Sequence, residues 1–205
     1  MDKVYDISML INEDIIVYPG SKSVVIEQQA SIPQNNVNDS VITMGCHTGT
    51  HVDSQFHVNN DGKKANELLL NTFYGKCKVL DLTHVESEIH KEDLENFDID
   101  ENDIILLKTK NSKEKHIEFN KKYVHLKLDA AQYLVDRKIK TLGCDYLSVK
   151  KFGGDDEVHE ITINNLTLFE GLNLNGVPEG EYLFMGLPIK LECDGAPARV
   201  IIVKE

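Results

Sequence analysis

The chain predicts an α/β fold with mixed sheets. Short β-favouring runs outnumber helical segments, and the helical segments are scattered among them rather than grouped. No repeat, low-complexity tract or linker divides residues 1–205, so they read as a single domain. Hydrophobic residues make up 41%, which suffices for a core.

Lys3 to Met9 alternates loosely and reads as a first strand. Asp14 to Tyr18 is expected to be a second, stopped by Pro19-Gly20, and Ser23 to Gln28 a third. After a polar loop, the apolar, β-branched run Ser40 to Met44 feeds Gly45 and a histidine-rich segment. Asn59 to Gly62 is a turn, and Asn66 to Phe73 is expected to be a short helix capped by Asn66. Lys76 to Leu82 is a strand, His90 to Phe97 a short helix, and Asp103 to Lys108 a nearly continuous apolar run, hence a buried strand. Asn111 to Lys122 is charged without a period and reads as a surface loop.

Leu128 to Lys138 has the clearest helical stripe, Ala130, Ala131, Leu134 and Val135, with Asp129 favouring its N-terminus. Thr141 to Asp145 is a strand, Glu157 to Asn165 a helix carrying His159, and Leu166 to Leu172 a strand carrying Glu170. Glu181 to Met185 and Arg199 to Val203 are late strands, with Gly195-Ala196-Pro197 as the turn before the last.

Lys plus Arg is 22 and Asp plus Glu is 34, a net charge of −12. An acidic chain without a basic cluster argues against nucleic acid or an anionic membrane as partner. No apolar run approaches membrane-spanning length, and no charged-then-apolar leader opens the chain. Cys46, Cys77, Cys144 and Cys193 have no C-x-x-C spacing and fit a reducing, cytoplasmic setting. No glycine-rich phosphate loop occurs.

The chemistry concentrates in Cys46-His47-Thr48-Gly49-Thr50-His51-Val52-Asp53-Ser54-Gln55-Phe56-His57. In an extended chain His47, His51, Asp53 and His57 share one face, with Gly49 leaving a gap between the first two. Imidazoles and a carboxylate converging on a gap suit zinc or a similar divalent ion, at about 2 Å. Such an ion with an open position lowers the pKa of bound water from ~15.7 to roughly 7, so hydroxide is available without a serine or cysteine nucleophile. His57 would then carry a proton to the leaving nitrogen. Against this stands a loop stiffened by threonine hydroxyls and an Asp53 that bonds backbone amides.

His159 and Glu170, taken singly, are a helix-surface histidine and a strand-end glutamate; together they could hold a second ion. His84, His90, His116 and His125 lie in polar surroundings and read as solvated. Cys46 invites a thiol-nucleophile or redox reading, but alternation turns it away from the histidines, as a small buried residue would be. Asp145 and Arg199 read as turn or ion-pair residues.

The run from Cys46 to His57 resembles the H-x-G-T-H-x-D-x-P-x-H signature of the cyclase family of metal-dependent hydrolases, which includes bacterial kynurenine formamidase and isatin hydrolase. Tyr5-Asp6-Ile7-Ser8, Val17-Tyr18-Pro19-Gly20, Val79-Leu80-Asp81-Leu82, Gly143 to Ser148, Leu168 to Leu172 and Leu187 to Arg199 resemble further stretches of that family in order. Gln55 stands where the signature has proline, and could add a hydrogen bond or a weak donor to the site.

The resemblance implies a swivelling β/β/α fold whose mixed sheets form a partly open barrel flanked by helices. It implies a homodimer or homotetramer that acts on a small-molecule substrate. One or two ions per subunit, Zn2+ or Mn2+, would be held by His47, His51 and Asp53, with Asp53 bridging to a second ion on His159 and Glu170. His57 would be the proton carrier and Tyr18 the aromatic against substrate. The implied activity is hydrolysis of an amide-type C–N bond, as in arylformamidase action on N-formylkynurenine in tryptophan catabolism, or on a cyclic amide. The alternative is a metal- or ligand-binding member without turnover.

Overall fold

The computed structural model describes residues 3–113 and 118–204. Its strands and helices, in chain order, begin with β1 (Lys3–Asp6), β2 (Val25–Ala30), β3 (Asp39–Thr43) and β4 (His51–Asp53). There follow β5 (Tyr74–Asp81), β6 (Glu88–Ile89), α1 (Lys91–Leu94), β7 (Ile104–Lys108), β8 (His125–Leu126), α2 (Leu128–Asp136) and β9 (Thr141–Cys144). The chain ends with α3 (Glu157–Asn165), β10 (Thr167–Glu170), β11 (Gly180–Pro188) and β12 (Gly195–Lys204).

The main sheet runs β1-β12-β11-β5-β7-β9-β10-β4, and β4 also pairs with β12, which closes seven strands into a ring with β1 added at an edge. The central neighbours β5, β7, β9 and β10 are parallel, and the other pairs are antiparallel. This is the mixed α/β barrel architecture expected from the sequence.

Parallel strands need cover on both faces, and β7 displays it. Ile104 and Leu106 point into the barrel among Phe169, Phe184, Val200 and Ile202. Ile105 and Leu107 point outward among Leu134, Leu142 and Ile163, beneath the helices. All four are essentially inaccessible. The helices α1, α2 and α3 pack against one another on that side. The pair β2–β3 forms a separate antiparallel hairpin whose Ile26 and Ile42 remain exposed.

Several expected elements take other forms. Asp14 to Tyr18 joins no ladder; Ile16 is buried instead among Tyr123, Tyr146 and Leu147. Asn66 to Phe73 is not a helix but two separate 3-10 turns, Ala65–Glu67 and Leu70–Thr72. Gly195-Ala196-Pro197 is not a turn but the start of β12, paired with β4. Pro197 fits there because its carbonyl is the group used, accepting from the Ile189 N–H at 3.0 Å. Asn111 and Ser112, expected at the surface, are buried in a 3-10 turn. His125 is buried too, with Nδ1 3.3 Å from the Tyr123 carbonyl, while His84 is exposed. His116 lies outside the described residues.

Candidate metal centre and its cavity

Val52 on β4 points into the barrel and is fully buried. Strand alternation therefore sends His51 and Asp53 to the outer face. On the neighbouring β10, Phe169 fills the barrel and Glu170 points outward, opposite His51 in the register. α3 lies over β10 and brings His159 to the same place. It starts where Glu157 and Glu160 favour a helix N-terminus, and it buries His159, Thr162 and Ile163 at three- and four-residue spacing.

Asp53 is the centre of the cluster. Its Oδ1 lies 2.7 Å from His47 Nδ1 and 3.3 Å from His51 Nε2, and its Oδ2 lies 3.1 Å from His159 Nε2. Glu170 is 3.7 Å from both His51 Nε2 and His159 Nε2. His51 Nδ1 sits 2.9 Å from the Gly49 carbonyl, to which it donates, and this turns Nε2 toward the carboxylates. The donor atoms form two groups that share Asp53. One is His51, Asp53 and Glu170, and the other is His47, Asp53 and His57.

The run does not stay extended, as the alternation reading requires. His47 is in a turn and Gln55 to His57 form a 3-10 turn, so these side chains reach Asp53 by folding back. Gly49 leaves no gap for an ion. It takes φ +65°, and a β-carbon there would meet Ile15 and Ile11. The glycine that makes room for His47 is Gly195 on β12, where a β-carbon would lie 2.7 Å from the ring. Gln55 does not enter the site: its amide donates to the Asn164 carbonyl and its oxygen accepts from the Lys63 N–H.

The cluster opens into a cavity of about 280 Å³ whose wall includes Tyr18, His47, His57, His159 and Glu170. The cyclase family model matches residues 5–151 of this chain.

The chain belongs to the cyclase family.

It is 35% identical to the kynurenine formamidase of Bacillus mycoides (strain KBAB4) over 202 residues, 96% of this chain and 95% of that protein. The Bacillus anthracis kynurenine formamidase is 35% identical over 98% of this chain and 97% of that one. A solved structure described as a potential metal-dependent hydrolase with cyclase activity superposes with a TM-score of 0.89 at 36% identity, covering 100% of this chain and 99% of that one. Isatin hydrolase A from Labrenzia aggregata shares the fold, with a TM-score of 0.86 at 19% identity over 99% of this chain and 94% of that one.

The electrostatics of this cyclase-family site suit a divalent cation. Burial works against ionising Asp53, but hydrogen bonds from His159, His47 and His51 outweigh it and hold the carboxyl well below its usual range. Burial and the charge of Asp53 push Glu170 well up, and the Val149 N–H donates to it at 2.7 Å. Two buried carboxylates that repel each other, ringed by imidazoles whose ring nitrogens face inward and become ligands once they release their protons, are the donor set a divalent ion relieves. Burial would lower His47, yet its bonds to Asp53 and Asp194 hold it at about 9, so as a ligand it must first release a proton. Burial lowers His57, which stays neutral at pH 7 and half-exposed on the cavity wall.

Asp194 escaped the sequence reading. Its Oδ2 lies 2.7 Å from His47 Nε2 and 3.4 Å from His57 Nδ1, linking the two rings. The only signal in the sequence is its place immediately before Gly195 in the C-terminal stretch. Asp145 is structural: it accepts from the backbone N–H groups and hydroxyls of Thr109 and Ser112. Arg199 pairs with Asp6 at the surface. Burial and the neighbouring Cys193 push Cys46 up to about 11, so it is a protonated thiol at neutral pH and a poor nucleophile.

Proposed function

We propose that this hydrolase of non-peptide C–N bonds removes the formyl group from an aryl formamide of the N-formylkynurenine type, releasing formate and the arylamine. One observation carries the reading: a cluster of five metal-type donors, four of them buried, opens into a cavity sized for one small molecule and walled by His57. In this reading His51, Asp53, His159 and Glu170, with His47 at the margin, hold the ion. When bound, a divalent ion acidifies a water molecule and polarises the formyl carbonyl. Tyr18 packs edge-on to Phe119 at 5.2 Å and presents a fixed aromatic surface to the aryl ring. His57 accepts the proton of the attacking water and delivers it to the nitrogen as the C–N bond breaks, with Asp194 orienting its ring. Zinc is the first choice of metal and manganese the second, in one or two sites around the shared Asp53.

The proposed setting is the cytoplasm, in tryptophan breakdown. Among the described residues no helix is long and apolar enough to cross a membrane, and the four cysteines are unpaired. The exposed apolar residues of the β2–β3 hairpin, Ile26 and Ile42 with Ile32 and Val37 at its tip, support a homodimer or homotetramer.

The test is hydrolysis of N-formylkynurenine and of isatin by purified protein, before and after chelation and with zinc or manganese restored. Turnover should vanish on chelation and return with metal. His51→Ala should lower kcat/KM by at least about 100-fold. Turnover that survives both would remove the reading, and full metal occupancy without hydrolysis of either substrate would favour a binding protein.

A further inference from the structure

The cavity carries a second charged feature that the donor cluster does not use. Lys150 and Asp156 form an ion pair in its wall. The Lys150 side chain is only 15% exposed, whereas Asp156 is 71% exposed at the mouth. Both are fixed by the backbone that builds the site. Lys150 follows Val149, whose N–H donates to Glu170, and Asp156 precedes α3, three residues before His159. As the N-cap residue Asp156 makes no side-chain bond to the helix; its carboxylate is given to Lys150. Tyr18 lines the same cavity as Lys150, Asp156 and Glu170. Lys150 is the one basic residue other than histidine in the described wall of this cavity, in a chain of net charge −12.

We propose that Lys150 and Asp156 read an α-amino acid head group, Lys150 taking the α-carboxylate and Asp156 the α-ammonium. This deepens the formamidase reading and rests on it. A zwitterion laid against an ion pair satisfies both charges on each side, so neither protein charge is left unpaired as the cavity fills. A neutral cyclic amide such as isatin offers no partner to either residue. A simple anion meets Lys150 but is opposed by Asp156 and by the net charge of the chain. The pair therefore selects an amino-acid aryl formamide over both.

The experiment compares N-formyl-L-kynurenine with 2′-formamidoacetophenone, the same aryl formamide without the head group, in metal-loaded wild type, Lys150→Met, Asp156→Asn and Lys150→Arg. Lys150→Met should lower the kcat/KM ratio of the first substrate to the second by about tenfold, with the loss falling in KM rather than kcat. Asp156→Asn should act in the same direction, and Lys150→Arg should recover most of the ratio. Calorimetric binding of L-kynurenine, which needs no turnover, should weaken by the same factor. Equal losses on both substrates would mean that the pair is a structural salt bridge or a counter-charge to Glu170, and would overturn the proposal, as would an unchanged ratio and unchanged kynurenine binding. If wild type hydrolyses neither formamide, the formamidase reading falls, while the kynurenine-binding arm still decides the head-group assignment.

Discussion

Gln55 is the residue where the chain departs from its family's signature, and its contacts make the departure benign. Its side chain ties the loop after β4 to Lys63 and to the end of α3, away from the donors. Ser54 before it is extended, at φ −112° and ψ 162°, as a residue preceding proline should be, and position 55 opens a 3-10 turn. Gln55→Pro is therefore expected to fold, with stability within about 1 kcal/mol and activity within about twofold of wild type, by urea titration and formamide assay. Gly171 has no such latitude. It takes φ +69°, and a β-carbon there would lie 2.3 Å from the Gly49 carbonyl oxygen. Gly171→Ala should cost at least about 2 kcal/mol and displace the adjacent Glu170, read as lost stability together with weakened metal uptake. The donors of the local run were visible in the sequence because four chemistry-bearing side chains fall within eleven positions of one another. Asp194 and Lys150 were not, because neither has a sequence signature of its own. His47 and Asp194 are 147 positions apart, and only the closing of the barrel makes them neighbours.

At the scale of elements, patterning located the buried strands and the two longer helices because burial on two faces or on one stripe leaves a periodic trace. It failed where apolar residues are buried without a ladder. Ile16 packs under tyrosines in an irregular segment, and the run from Asn66 to Phe73 leaves Leu69 and Leu70 exposed where the second of two short turns begins. It failed again where glycine and proline sit inside β12, since both residues usually punctuate turns. The parallel pair β5–β7 carries a testable electrostatic clamp. Asp81 is opposite Lys108 in the register, accepts from Lys108 Nζ at 2.7 Å, and accepts from the Thr83 hydroxyl and N–H. Burial works against its ionisation, but these bonds outweigh it and bring the carboxyl to about 2. The unfolded chain therefore takes up the proton first. The clamp's stabilisation is present above about pH 4 and is lost as pH falls toward 2. Because Asp81 is about one-third exposed and solvent screens the pair, the expected size is about 1 kcal/mol. Asp81→Asn should lower the unfolding free energy by that amount at pH 7, and the difference should disappear near pH 2, measured by urea titration across that range.

For the whole molecule, the barrel core and the helix-side core share strands whose alternate residues face opposite ways, so damage to one strand reaches both. Leu106→Ala, at the centre of the barrel, should cost about 2–5 kcal/mol. The hairpin β2–β3 lies outside both cores, and the proposed assembly can be probed there. Ile42→Lys should leave the monomer's unfolding free energy within about 1 kcal/mol while shifting light-scattering mass toward monomer; an unchanged mass would remove the hairpin from the assembly surface. The short strand β4 has a different significance. Its three residues bond to β10 on one side and β12 on the other, and two of the three are His51 and Asp53. The stitches that shut the ring are also the hands that would grip the ion, so occupancy and closure are two readings of one equilibrium. Loading the site should slow hydrogen exchange at the amides of residues 51–53, 195 and 196 more than anywhere else in the barrel, and stripping it should let the ring breathe at that joint first.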